Sequence, residues 1–185
     1  QYDFTKKRIL NSGLNNKVNV KFLDYRDVKD KYDHVVSIEM IEAVGEEYMD
    51  KYFETIKKVL NKDGTAAIQG IAIKNELFDR YRANEDFIQK YIFPGGFLPS
   101  INFMEKLIKK NDLKLEKINT YSDDYARTLA TWRENFLGVW DKISPLGFDD
   151  YFKRMWEFYL SYCEGGFKSR NINLIQFSMS NRYSS

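Results

Sequence analysis

Apolar and polar positions along this chain follow two periods, and the period switches several times. Near the start, Phe4, Ile9 and Leu10 fall among Lys6, Lys7 and Arg8 at helical spacing, and Gly13 stands where such a helix would stop. Val18, Val20 and Phe22 then alternate with asparagine and lysine, which predicts a strand. Residues 24–30 are polar and turn-like. Residues 34–38 form a short apolar run, as expected of a buried parallel strand. Over residues 46–60, Tyr52, Phe53, Ile56, Val59 and Leu60 share one helical side, and Lys62-Asp63-Gly64 is predicted to end that helix. Residues 65–73 carry no charge and read as a central strand. Strand, helix and strand in this order predict a doubly wound α/β sheet.

The second half continues the pattern with longer interruptions. Residues 75–91 read as a polar helical insertion closed by a Pro94-Gly95-Gly96 turn. Residues 102–111 predict a helix, and Leu113, Leu115 and Ile118 a strand. Two helices follow, over roughly 125–140 and 148–167, before a last strand carrying Ile172, Leu174, Ile175 and Phe177. The expectation is one α/β domain over residues 1–185 with helical insertions at about 74–97 and 124–168.

Composition narrows the function classes. Lys and Arg number 29 against 27 Asp and Glu, a net charge of +2, so no strongly basic surface for nucleic acid is expected. One cysteine and one histidine exclude an intrachain disulfide framework and a structural zinc site of four cysteines or of two cysteines and two histidines, and no metal is expected. The 14 Phe, 13 Tyr and 3 Trp fit either a large aromatic core or an apolar cavity whose walls suit a cation. The apolar stretch around Tyr91 and Met104 is broken by Pro94, Gly95, Gly96 and Pro99, so it does not read as a membrane span. No stretch reads as a secretory leader. A glycine-rich nucleotide loop of the G-x-G-x-x-G kind is not found. Pattern alone therefore reaches an α/β domain with a helical lid and no visible nucleotide site.

Five strings add more. They are Leu23-Asp24-Tyr25-Arg26-Asp27, Val36-Ser37-Ile38-Glu39-Met40-Ile41-Glu42-Ala43-Val44-Gly45, and Tyr91-Ile92-Phe93-Pro94-Gly95-Gly96-Phe97-Leu98-Pro99-Ser100. To them belong Asp124-Tyr125-Ala126-Arg127-Thr128-Leu129 with Trp132, and Arg154-Met155-Trp156 through Cys163. In this order they resemble the cyclopropane-fatty-acyl-phospholipid synthases and their mycolic-acid-modifying relatives, which are class I methyltransferases dependent on S-adenosylmethionine. The resemblance runs along essentially the whole chain. It implies a Rossmann-like doubly wound sheet. The family's first strands and glycine-rich loop fall ahead of Gln1-Tyr2, so the chain is expected to be the C-terminal portion of such an enzyme.

The resemblance also implies a chemistry and a set of residues. The family moves a methyl group to a cis double bond of an acyl chain, and a bound bicarbonate then removes a proton so that a cyclopropane ring closes. By matched position, Glu42 would accept a hydrogen bond from the bicarbonate hydroxyl, Tyr125 would donate to the anion, and the backbone of Ile71 would complete the site. Gln69 falls where better-known members carry histidine; its amide can donate to an anion but cannot take a proton. Cys163 matches a cysteine often assigned to the active site. A sulfonium methyl donor needs no covalent nucleophile, so Cys163 is expected to line the acyl pocket. Gln1 matches a contact to the cofactor's ribose end, and Tyr25 and Arg26 match the pair flanking its adenine. The implied partners are unsaturated phospholipid acyl chains at a membrane surface, with a cytoplasmic location at the inner leaflet and a homodimer left open. Lys57-Lys58 and Lys109-Lys110 read as solvated helix faces. Three alternatives stay open: a methyl branch instead of a ring, methylation of a small amine, and a non-catalytic lipid-binding fragment.

Overall fold

The computed structural model describes residues 1–181. The chain divides into two compact units, residues 1–30 and 31–185. In the first unit, helix α1 (Tyr2–Asn11) ends at Ser12, and Gly13 follows at φ 66°, a conformation that favours glycine. The strand expected at Val18, Val20 and Phe22 does not form; Phe22 is 92% exposed. An isolated extended segment leaves its backbone groups to water, and alternation alone supplies no partner strand. The polar turn does form, as a 3-10 turn over Tyr25–Asp27. Asp24 opens it by accepting the Arg26 backbone N–H at 2.9 Å.

The second unit is built on a four-stranded sheet in the order β1-β2-β4-β3. The strands are β1 (Tyr32–Ile38), β2 (Leu60–Ile73), β3 (Lys114–Thr120) and β4 (Ile172–Ser180). β1 runs parallel to β2, whereas β4 is antiparallel to both β2 and β3. β1 is parallel as expected but not buried: it lies at the sheet edge, with Val36 and Ile38 67% and 65% exposed. Helix α2 (Met49–Val59) ends without the expected Lys62-Asp63-Gly64 stop, because β2 already begins at Leu60 and runs through those residues. Asn181 holds this polar stretch in place: its amide nitrogen donates to the Leu60 and Asn61 carbonyls, and its backbone N–H to Gly64.

Side-chain alternation sorts the sheet into two faces. On one, Ala66, Ile68 and Ala72 of β2 are in register with Met179, Phe177 and Asn173 of β4, and all but Asn173 are buried. Helix α2 packs against β2, and helix α5 (Ile101–Lys110) against β3, burying Tyr52, Phe53, Ile56, Met104 and Ile108. On the other face, Ile71 and Leu174 pack in a second core with Ala126, Leu129, Leu160 and Phe167. Those residues come from helices α6 (Ser122–Gly138) and α8 (Asp150–Lys168), which pack along each other.

The first insertion is not the single helix predicted over 75–91. It consists of a 3-10 turn (Asn75–Leu77), α3 (Phe78–Arg82) and α4 (Phe87–Tyr91). Asp86 breaks it by starting α4 with a reciprocal cap: its carboxylate accepts from the Gln89 backbone, and the Gln89 side chain accepts from its own. In the second insertion, the short α7 (Trp140–Ile143) separates α6 from α8.

Candidate functional site

The second unit holds a cavity of about 1390 Å³ between the carboxyl end of the sheet, the first insertion and the α6–α8 pair. β1 ends at Ile38, and Glu39 follows at φ 49°, the left-handed region that L side chains avoid. The Glu39 backbone N–H donates to the Gln69 carbonyl at 2.9 Å, which fixes this bend against β2. A 3-10 turn over Ile41–Ala43 then carries Glu42 toward the cavity. Gly70 makes room for that turn. A Cβ there would sit 2.4 Å from the Ile41 Cγ2 and 3.2 Å from the Glu42 Oε1. The Pro94-Gly95-Gly96 turn closes over it, with the Phe97 N–H donating to the Glu42 carbonyl at 2.9 Å.

The polar groups gather at one end of the cavity. Glu42 Oε1 accepts the Ile71 backbone N–H at 2.5 Å, while its buried Oε2 has no hydrogen-bond partner among the described residues. Burial pushes the Glu42 carboxyl above the usual carboxylate range, against the lowering effect of the backbone N–H bonds of Glu42 and Ile71. Tyr125, from α6, donates to Glu39 over 3.3 Å to Oε2 and 3.5 Å to Oε1. Burial first, then the Glu39 charge, raise the Tyr125 phenol, so it stays protonated and can act only as a donor near neutral pH. Gln69 donates its amide to Glu39 Oε1 at 3.0 Å and accepts from Gln176 at 2.7 Å. Its own side chain lines a shallower groove on the open sheet face, and reaches the cavity only through Glu39.

The rest of the wall is apolar and aromatic. Tyr125 packs on Phe167 with ring centroids 4.7 Å apart and meets Trp132 edge-on at 6.3 Å. Phe93 meets Tyr159 at 6.2 Å. Cys163 lines the cavity as expected, and burial followed by the Asp86 charge pushes its thiol up to about 12. It is therefore a neutral lining group and not an activated nucleophile.

The structure thus brings Glu42, Ile71, Tyr125 and Cys163 to one cavity, with Gln69 one hydrogen bond away. Gln1, Tyr25 and Arg26 belong to the first unit. Tyr25 is half-buried, Arg26 lies over its ring at 6.0 Å, and the guanidinium is paired with Asp24 at 2.7 Å. Arg26 holds the Asp24 carboxyl down at about 2. A flat ring beside a delocalised cation fits the adenine end of S-adenosylmethionine. Sequence reasoning missed Glu39. Its signal was two carboxylates three residues apart just after a strand, inside a string already singled out for Glu42.

Bicarbonate does not fit this arrangement. An anion in a cavity needs donors. The amide and phenol that would hold it already serve Glu39, and the Ile71 N–H serves Glu42. Among the described residues, the unpartnered Glu42 Oε2 is an acceptor beside a second carboxylate, not a donor.

A family profile described as mycolic acid cyclopropane synthetase matches residues 1–177. The chain belongs to that family. Among curated members of the cyclopropane synthetase family and their kin, it is 38% identical to the tuberculostearic acid methyltransferase of Mycobacterium tuberculosis, over 97% of this chain and 42% of that protein. It is 35% identical to the cyclopropane-fatty-acyl-phospholipid synthase of Escherichia coli, over 86% of this chain and 40% of that one. The chain therefore spans about two fifths of the length of these relatives. A crystal structure of a mycolic acid cyclopropane synthase complexed with SAH and CTAB superposes with a TM-score of 0.86 at 23% identity. The superposition covers 97% of this chain and 66% of that one. The fold of this member of the cyclopropane synthetase family is accordingly that of the class I methyltransferases.

Proposed function

We propose that the protein carrying this chain methylates unsaturated acyl chains of phospholipids, using S-adenosylmethionine, to form cyclopropane fatty acids. The observation that carries this reading is the large aromatic cavity with its donors and carboxylates gathered at one end. Family membership supports it, as does the relative in Escherichia coli named for that product. Bound S-adenosylmethionine supplies a methyl group activated by its sulfonium, and Gln1, Tyr25 and Arg26 are the residues of this chain proposed to hold it. The cavity walls then do three things. They exclude water, align an apolar chain, and offer the faces of Tyr125, Trp132 and Phe167 to positive charge growing on the acyl carbon. Such cation–π contacts contribute about 0.5–2 kcal/mol each. Glu42 and Tyr125 order the polar end.

We place the protein at the inner leaflet of a cytoplasmic membrane, where such chains are presented. Among the described residues no helix is long and apolar enough to cross a membrane. A second reading, in which the product is a methyl branch, is favoured by the 38% identity to a tuberculostearic acid methyltransferase.

Full-length protein is given methyl-labelled S-adenosylmethionine and vesicles of a monounsaturated phospholipid, and the released fatty acids are analysed by mass spectrometry and NMR. Ring methylene signals carrying label are expected. Label on a methyl or methylene branch selects the second reading, and label confined to a headgroup amine overturns both.

A further inference from the structure

We infer that Glu39 stands in the place of an external anion and is the base that removes the proton from the methylated acyl chain. The inference rests on the lipid-methylation reading above. Its ground is the geometry at the polar end of the cavity. Gln69 Nε2 and Tyr125 Oη both point their hydrogens at the Glu39 carboxylate, at 3.0 Å and 3.3 Å. Gln176 in turn holds the Gln69 amide the right way round, by donating to its oxygen at 2.7 Å. A carboxylate supplied by the chain thus occupies donors that would otherwise bind a small oxyanion.

The backbone makes the same point independently. Glu39 is one of three described non-glycine residues at positive φ, and a glutamate gains nothing from the left-handed region. Its bend is nevertheless fixed by the hydrogen bond to the Gln69 carbonyl. An outlier held this way next to a cavity marks a side chain aimed for a purpose. Glu39 also lines the cavity while remaining exposed, so a proton it takes can pass to water. Neither Gln69 nor the neutral Cys163 can do this work, and Tyr125 keeps its proton.

The step balances. After methylation, one former alkene carbon carries the new methyl and its neighbour in the chain is cationic. A Glu39 oxygen takes one proton from that methyl, and the released C–H electron pair bonds to the cationic carbon and closes the ring. Glu39 is left as a carboxylic acid, and the lipid is neutral at that position.

The test uses the full-length protein in buffer freed of carbon dioxide. Wild-type turnover is expected to be the same with and without added bicarbonate. Glu39→Gln keeps the shape but not the base, and is expected to lose about 100-fold or more, with no response to bicarbonate. Glu39→Gly relieves the backbone and frees both donors, so it is expected to lose as much but to regain at least about tenfold when bicarbonate is added. Wild-type enzyme that needs bicarbonate, or Glu39→Gln at near wild-type rate, overturns the inference. A second readout does not depend on turnover: ¹³C-bicarbonate is titrated by NMR, and saturable binding is expected with Glu39→Gly and not with wild type. Protein silent on every lipid would sink the proposed function, whereas saturable bicarbonate binding to wild type would sink this inference whatever the activity.

Discussion

At the scale of single residues, the site is a set of groups whose protonation is decided by burial and neighbours. Cys163 shows this most directly. Its thiol is pushed up to about 12 by burial and by Asp86, so near neutral pH it is uncharged. The expected outcome is slow alkylation: iodoacetamide should modify Cys163 in the native protein more than about 100-fold slower than a free cysteine at the same pH, because only the thiolate reacts. Cys163→Ser should retain measurable turnover, its loss falling mainly on KM, as fits a pocket wall. A rapidly alkylated thiol, or a kcat reduced to background, would overturn the lining role of Cys163. Glu39 illustrates the reverse case. Held at φ 49°, it carries a backbone cost of about 1–3 kcal/mol that a glycine would avoid, and its side chain is what the site gains in exchange.

At the scale of elements, the cavity depends on two helices staying together. α6 supplies Tyr125 and Trp132, and α8 supplies Tyr159 and Cys163. Between them lies Glu164, 5% exposed, paired with Arg133 of α6 at 2.7 Å and with Lys168 at 2.5 Å. Lys168 first, then Arg133, hold the Glu164 carboxyl below its usual value. The stability this contributes is present above the ordinary carboxylate range and is lost as pH falls through the lowered folded value. Glu164→Gln should therefore cost about 1–2 kcal/mol near neutral pH, discounted because both cations keep contact with water, and progressively less in acid. Thermal melts of both proteins from neutral to acid pH test it; a difference independent of pH would mean that shape, not charge, is what Glu164 supplies. The sequence made these helices legible, along with the strands over residues 65–73 and 172–177, because they are long and strongly periodic. It misled at Val18–Phe22, where alternation exists without a partner, and at residues 60–64, where polar residues extend a strand held by Lys31 and Asp33 on one side and by the distant Asn181. Glu42, Tyr125 and Cys163 were legible only through the family strings, and Ile71 only by matched position. Glu39 was not, since its role depends on a bend and on amide and phenol donors contributed by β2 and α6.

At the scale of the whole molecule, the second unit's sheet ends at β1 among the described residues. The order β1-β2-β4-β3 leaves β1 at an edge, with Val36 and Ile38 exposed and a shallow groove of about 290 Å³ beside them. A strand at a sheet edge with exposed apolar side chains is a template for pairing. The chain spans about two fifths of the length of the curated relatives it matches. Studied alone, the 185-residue chain should therefore self-associate through β1. Sedimentation velocity over a range of concentrations is expected to show reversible growth in mass. The double variant Val36→Lys/Ile38→Lys should suppress it, because a lysine at each exposed strand position opposes pairing without touching the buried face of Ala66, Ile68 and Phe177. Full-length protein should protect the β1 amides from hydrogen exchange at every concentration, since there the edge is expected to be covered from within. A chain that stays monomeric alone, with β1 amides already protected, would mean that the edge is blunted by its own twist and side chains, and that the apolar groove is available to a ligand.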